Sequence, residues 1–337
     1  MLRLRSLLPA LFLTAVGLDA HADALRDIRD IRSGSTPIRH ELLGYTDRHE
    51  FVFRSLICGN DEMATCRAEI TTVHPNADPV TEVLLDINGV DCSAEDAKCA
   101  ALPDKVVEDF IAAEARVLGE LPALQGAPEV AEPTSALEAL VTGPVTVAVR
   151  TRRTVEYGIE GVRTDLVARA GNGAVVDLAT ISSFDDRVEY ARLEAAYRSA
   201  DGKHVAFVVA YGPSSPCFGP FDSLVFAVVD TTKARARLAN ASGLLAKREG
   251  DAALARAAFV QASELAPGYP SGWYNRAALS ARFGNTHDAL ESLRRAVKLN
   301  KKLATRACGD ADFGSITVPA TRQHLLHCAS APKGTNR

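Results

Sequence analysis

Residues 250–267, GDAALARAAFVQASELAP, return 34 positions later as residues 284–301, GNTHDALESLRRAVKLNK, and this recurrence decides how the C-terminal third of the chain folds. Gly250 aligns with Gly284, Ala255 with Ala289, Phe259 with Leu293 and Ala262 with Ala296. Each aligned position has a physical task. The glycine relieves a tight turn between paired helices, the alanines let those helices approach closely, and the Phe or Leu fills the space between successive pairs. Self-similarity at a fixed period of this length signals stacked helical pairs.

The stretch from Ala236 to Lys302 resembles the tetratricopeptide-repeat (TPR) family. With Pro267 as the closing proline of the first repeat, Gly243 occupies the small position of its first helix and Trp273 the aromatic position of the next. Gly250-Asp-Ala-Ala-Leu-Ala255 and Gly284-Asn-Thr-His-Asp-Ala289 look like the family's central turn. Two positions depart from the pattern: Ala239 stands where a large aromatic is usual, and Lys301 replaces the second closing proline. The resemblance implies an all-α unit over 233–307 with repeats at 236–269 and 270–303. Residues 308–337 then form a capping segment and tail, in which Asp310-Ala-Asp-Phe313 resembles the short closing segment of such arrays. It also implies a groove lined by Arg237, Asn240, Leu244, Lys247 and Arg248 from the first repeat and Tyr274, Ala278 and Arg282 from the second, suited to a peptide. The alternative is that these residues are solvated helix faces, since two repeats make a shallow groove.

Upstream of the repeat the pattern changes from helical to strand-like. Arg163 to Ala170 and Ala174 to Ile181 flank Gly171-Asn172-Gly173, and Ala195 to Ser199 and His204 to Tyr211 flank Asp201-Gly202; both are hairpin signals because these turn residues tolerate positive φ. Ser223 to Val229 reads as a further strand, and Leu42 to Tyr45 with Glu50 to Cys58 as another hairpin. A helical insert over 93–121 interrupts the β region: from Asp104 to Leu121, Val107, Phe110, Val117, Leu118 and Leu121 fall on one face at helical spacing. Gln125 to Pro133 reads as a loop. The expected fold class is α+β, an antiparallel β-rich region over 23–232 followed by the helical unit. The strand-turn-strand stretches 44–53 and 197–207 resemble those of β-propeller-like periplasmic proteins and of uncharacterised secreted β-rich proteins.

The first 22 residues read as a cleavable signal peptide, with Arg3 and Arg5, an apolar run from Leu7 to Leu18, and Ala20-His21-Ala22 before the cut. That run is too short for a membrane span, so the expectation is a periplasmic or secreted protein without stable membrane insertion. Composition agrees with a folded chain, 47% hydrophobic and 24% charged over 337 residues. The charge is polarised. Residues 23–232 carry 34 acidic and 19 basic side chains, net −15, whereas residues 233–307 carry 5 acidic and 14 basic, net +9.

Export places the seven cysteines where disulfides persist. Cys58 and Cys66 suit a local bridge and Cys308 and Cys328 a staple of the tail; Cys92 and Cys99 can pair only if the segment between them folds back, which leaves Cys217 over. No catalytic set emerges. The loop 212–220 around Cys217, with His204 upstream, lacks the glycine-flanked serine of a nucleophile elbow and reads as a proline-rich turn. His324, His327 and Cys328 have metal-ligand spacing with Cys308, but the disulfide reading competes. Asp86-Ile-Asn88-Gly89-Val-Asp91 lacks the glycine and glutamate positions of a calcium loop and reads as a turn. No phosphate loop or nucleic-acid stripe is present, so neither cofactor nor metal is expected. Three functional readings follow: a scaffold binding an acidic peptide or protein surface, an intramolecular brace in which the basic unit docks on the acidic β-rich region, and a hydrolase within that region.

Overall fold

The computed structural model describes residues 39–58, 63–75, 79–91, 104–122, 124, 129–156, 159–183, 188–213 and 223–314. These residues form two compact units, one built mainly from residues up to 128 with 187–190 and 211–224, the other from 129–186, 191–210 and residues from 225 onward. The class is α+β, with three antiparallel sheets and six helices among the described residues.

In the first unit, β1 (Arg39–Tyr45), β2 (Phe51–Cys58), β3 (Met63–Val73) and β4 (Val80–Asp91) pair in sequence order. Strand alternation in β2 sends Phe51 and Phe53 to one face and Val52 and Arg54 to the other. The second face is covered by α1 (Asp104–Glu120), whose Val117 packs with Val52 and Ile70. Phe110 of α1 is buried too. Beside this apolar contact, Arg54 donates to Glu114 at 2.9 Å, a pair in which both side chains are buried. The β2–β3 register sets Cys58 opposite Cys66.

In the second unit, β6 (Val145–Glu156), β7 (Ile159–Ala170) and β8 (Val175–Ser183) form a three-stranded meander. A second sheet runs in the order β11 (Ser223–Asp230), β10 (His204–Pro213), β9 (Val188–Arg198), β5 (Glu129–Ala131). The two glycine turns behave as their chemistry requires: Gly173 has φ 87° and Gly202 φ 68°. Asp201 organises the latter turn, accepting from Ser199 Oγ at 2.7 Å and from the Lys203 backbone N–H at 3.0 Å.

Five helices follow: α2 (Thr231–Glu249), α3 (Ala252–Leu265), α4 (Pro270–Arg282), α5 (Thr286–Leu299) and α6 (Lys302–Gly309). α2 packs on α3, α3 on α4 and α4 on α5. Gly250 and Gly284 close α2 and α4 at φ 84° and 74°, and the next residues, Asp251 and Asn285, cap α3 and α5 with their side chains. The 34-residue period is thus a repeat of turn chemistry as well as of packing. At Gly243 an added Cβ would stand 2.5 Å from the Phe259 ring, so this contact between α2 and α3 demands glycine.

One core joins strands and helices. Val145, Val147, Leu166, Ala168, Phe207 and Val229 from the strands cluster with Ala234, Leu238 and Ala239 of α2. The expected boundary between residues 232 and 233 therefore falls inside a single compact unit. Two local readings are corrected. Residues 86–91 are strand within β4 rather than a turn, because β3 pairs with Asp86 and Ile87 and again with Val90 and Asp91, on either side of a register shift at Asn88-Gly89. Residues 125–133 are not loop throughout: Glu129–Ala131 pairs with β9, supplying a partner for backbone groups at that sheet edge. The reading of the sequence also omitted β6. Residues 1–22, 92–99, 212–220 around Cys217, and 321–328 with His324, His327 and Cys328 include the remaining expectations and lie, apart from 212–213, outside the described residues.

Candidate functional site

The face expected to bind a partner begins on α2, whose surface divides into three stripes at helical spacing. Ala234, Leu238, Ala239, Ala241 and Leu245 belong to the core shared with the strands, and Gly243 and Ala246 lie on the α3 side. The third stripe is the expected one: Arg237, Asn240, Leu244, Lys247 and Arg248. Arg237 and Arg248 are exposed, and Leu244, 39% exposed, is an apolar side chain in contact with water. Asn240 is buried and accepts at 2.7 Å from Asn275 of α4, which aligns the stripe with the second helical pair.

On α4, Tyr274 and Ala278 are buried rather than open, and Arg282 is exposed. What covers Tyr274 is the chain's own closing segment. After α6, a single turn of 3₁₀-helix at Ala311–Phe313 sets Phe313 edge-on to the Tyr274 ring at 5.4 Å, while the Tyr274 hydroxyl donates to Asp310 at 2.8 Å. Lys247 donates to Asp312, and the Arg306 guanidinium lies 4.9 Å over the Tyr274 ring. Burial and the hydrogen bond to Asp310 push the Tyr274 hydroxyl well above its ordinary range, so it remains a donor. The seat is therefore a cation and a phenol reading two carboxylates, with an aromatic ring between them.

Of the eight expected residues, Lys247 and Tyr274 converge on one acidic segment, and Asn240 ties their helices together. Arg237, Leu244, Arg248 and Arg282 are surface positions, and Ala278 belongs to the core of the second helical pair. Asn275 and Arg306 were overlooked. The only sequence signal for Asn275 is its place beside Tyr274, and Arg306 carries none until α6 folds over the tyrosine. Cys328, the expected partner of Cys308, is outside the described residues, as is Cys217, while His204 opens β10. Among the described residues no helix is long and apolar enough to cross a membrane. No protein-family model, no curated protein and no solved structure matches the chain.

Proposed function

We propose that this protein is an exported scaffold whose paired helices form a TPR-type surface that recruits an acidic, aromatic-containing segment of a partner protein. The observation that carries the reading is that Lys247 and Tyr274 already hold such a segment, Asp310-Ala-Asp312-Phe313, from the same chain. The bound chemistry matches the positive balance of residues 233–307: carboxylates meet a cation and a hydroxyl, and charge chiefly sets encounter rate and selectivity. The exposed cations Arg237, Arg248 and Arg282 extend that field beyond the occupied seat. The reading assigns no catalysis. Export rests on residues 1–22 and goes with it as part of the proposal.

The test uses the full chain with Asp310→Ala and Asp312→Ala, which loosens the closing segment, and a labelled peptide carrying Asp-Ala-Asp-Phe. The expected outcome is saturable binding that weakens with salt and weakens at least about tenfold when Arg248→Glu and Arg282→Glu are added. Unchanged affinity and salt dependence in that background sink the proposal.

A second reading, the intramolecular brace, is favoured by a separate observation. α2 contributes Ala234, Leu238 and Ala239 to the core of β6–β8, β10 and β11, and Asn172 and Thr142 bond to Ser242. The two readings use different stripes of α2 and are compatible: bracing occupies one stripe and leaves the third for recruitment.

A further inference from the structure

Away from the helical surface, β6 and β7 gather three arginines around one carboxylate. Val145, Val147 and Val149 of β6 and Leu166, Ala168 and Ala170 of β7 belong to the core side of the sheet. Alternation then sends Arg150, Arg152, Arg163 and Asp165 to the opposite face. The register sets Arg150 opposite Asp165, Arg152 opposite Arg163, and Asp165 opposite Thr180 of β8. Asp165 accepts from Arg150 Nη2 at 3.2 Å, Arg163 Nε at 3.2 Å, Thr180 Oγ1 at 3.0 Å and Arg152 Nη2. Its side chain is fully buried, while those of Arg150, Arg152 and Arg163 are 43%, 51% and 41% exposed.

The cluster holds more positive charge than Asp165 needs. Asp177, itself half-exposed, offsets part of it through Arg150 at 2.7 Å, and Arg163 Nη2 also donates to Thr180. Like charges directly opposite on an antiparallel ladder are destabilising, as Arg152 and Arg163 are here, and one arginine would suffice to neutralise Asp165. A guanidinium carries five donors. Among the described residues the bonds above engage one nitrogen each on Arg150 and Arg152 and two on Arg163, leaving donors on three half-exposed groups whose positions a buried carboxylate fixes.

We propose that the Arg150–Arg152–Arg163 face binds a phosphate group, with Asp165 as the positioning residue that holds the three guanidinium groups together. Planar guanidinium donors pair bidentately with oxyanions. A tetrahedral phosphate has oxygens enough to pair bidentately with more than one guanidinium group at once, whereas the two oxygens of a carboxylate pair bidentately with only one. The site is independent of the helical surface and of the function proposed for it.

The experiment is calorimetric titration of the full-length protein with inorganic phosphate at constant ionic strength. Saturable binding at one site is expected, with a Kd below about 1 mM, and Arg152→Gln and Arg163→Gln should each weaken it at least about tenfold. Arg163→Lys keeps the charge but not the fork, and is expected to weaken binding too; Arg169→Gln, on the same strand without a bond to Asp165, should not. Glycerol 3-phosphate in a parallel titration separates the sources: tighter binding than inorganic phosphate assigns the site to an esterified phosphate, weaker binding to the free ion. Titration without saturation, or wild-type affinity in folded Arg152→Gln/Arg163→Gln protein, overturns the proposal.

Discussion

Gly243 is a glycine because the Phe259 ring stands where its side chain would be. Gly243→Ala must displace that ring, at a cost of about 1–3 kcal/mol in urea unfolding, and Phe259→Leu in the same chain should recover part of the loss. At Asp165 electrostatics decide. Burial pushes its carboxyl upward, but the hydrogen bonds from Arg152, Thr180, Arg163 and Arg150 outweigh it and hold the group far below the usual carboxylate range. Asp201 behaves likewise: burial raises it, and bonds from Ser199 and Lys203 outweigh that and bring it to about 2. A carboxyl depressed in the fold contributes stability above its unfolded value of about 3.9 and loses it as pH falls toward the folded value. Thermal unfolding temperature should accordingly fall steadily as pH drops from about 4 to about 2, and Asp165→Asn should remove much of that slope while costing about 1–2 kcal/mol at neutral pH through weakened charge-assisted hydrogen bonds. A slope that is unchanged in Asp165→Asn would place the acid sensitivity elsewhere. Gly243 and Asp201 carried signals in the sequence, as the small position of a helix and as part of a hairpin turn, whereas Asp165 carried none: it sits in an ordinary alternating strand, and apart from Arg163 its partners come from 13 and 15 positions upstream and 15 downstream.

At the scale of elements, the helices were legible because local chemistry and packing agree. A glycine in the left-handed region followed by a capping Asp or Asn stops one helix and starts the next, twice, at the same spacing. Gly250→Ala and Asp251→Ala should each cost about 1 kcal/mol, as should Gly284→Ala and Asn285→Ala, measured by denaturant midpoint. Strands were less legible. Asn88-Gly89 carries a strong turn signal, and β4 absorbs it as an irregularity: β3 pairs with Ile87 on one side and Val90 on the other, and the register shifts between them. β5 is three residues long, and nothing local distinguishes it from a loop; pairing with β9 makes it a strand. β6 did carry a signal, Val145, Val147 and Val149 alternating with Thr146, Ala148 and Arg150, which its later arginines obscured.

Over the whole molecule, the helices are not a detachable appendix. Residues 233–337 produced alone would expose Ala234, Leu238 and Ala239, which the full chain buries. The fragment is expected to melt well below the full-length protein by circular dichroism; an equal melting temperature would mean that the shared core adds no stability to the helices. Local pattern was enough for the mixed class, the hairpin turns, α1 and the 34-residue helical period, because turn torsions, capping and amphipathic spacing act over a few residues. Folding in three dimensions determined which stripe of α2 stays open, that Asp310–Phe313 covers Tyr274, and that three arginines share Asp165. Those outcomes depend on contacts between residues far apart in the chain. A helix with apolar residues on several sides shows that it is buried, and the neighbouring sheet or segment decides by what.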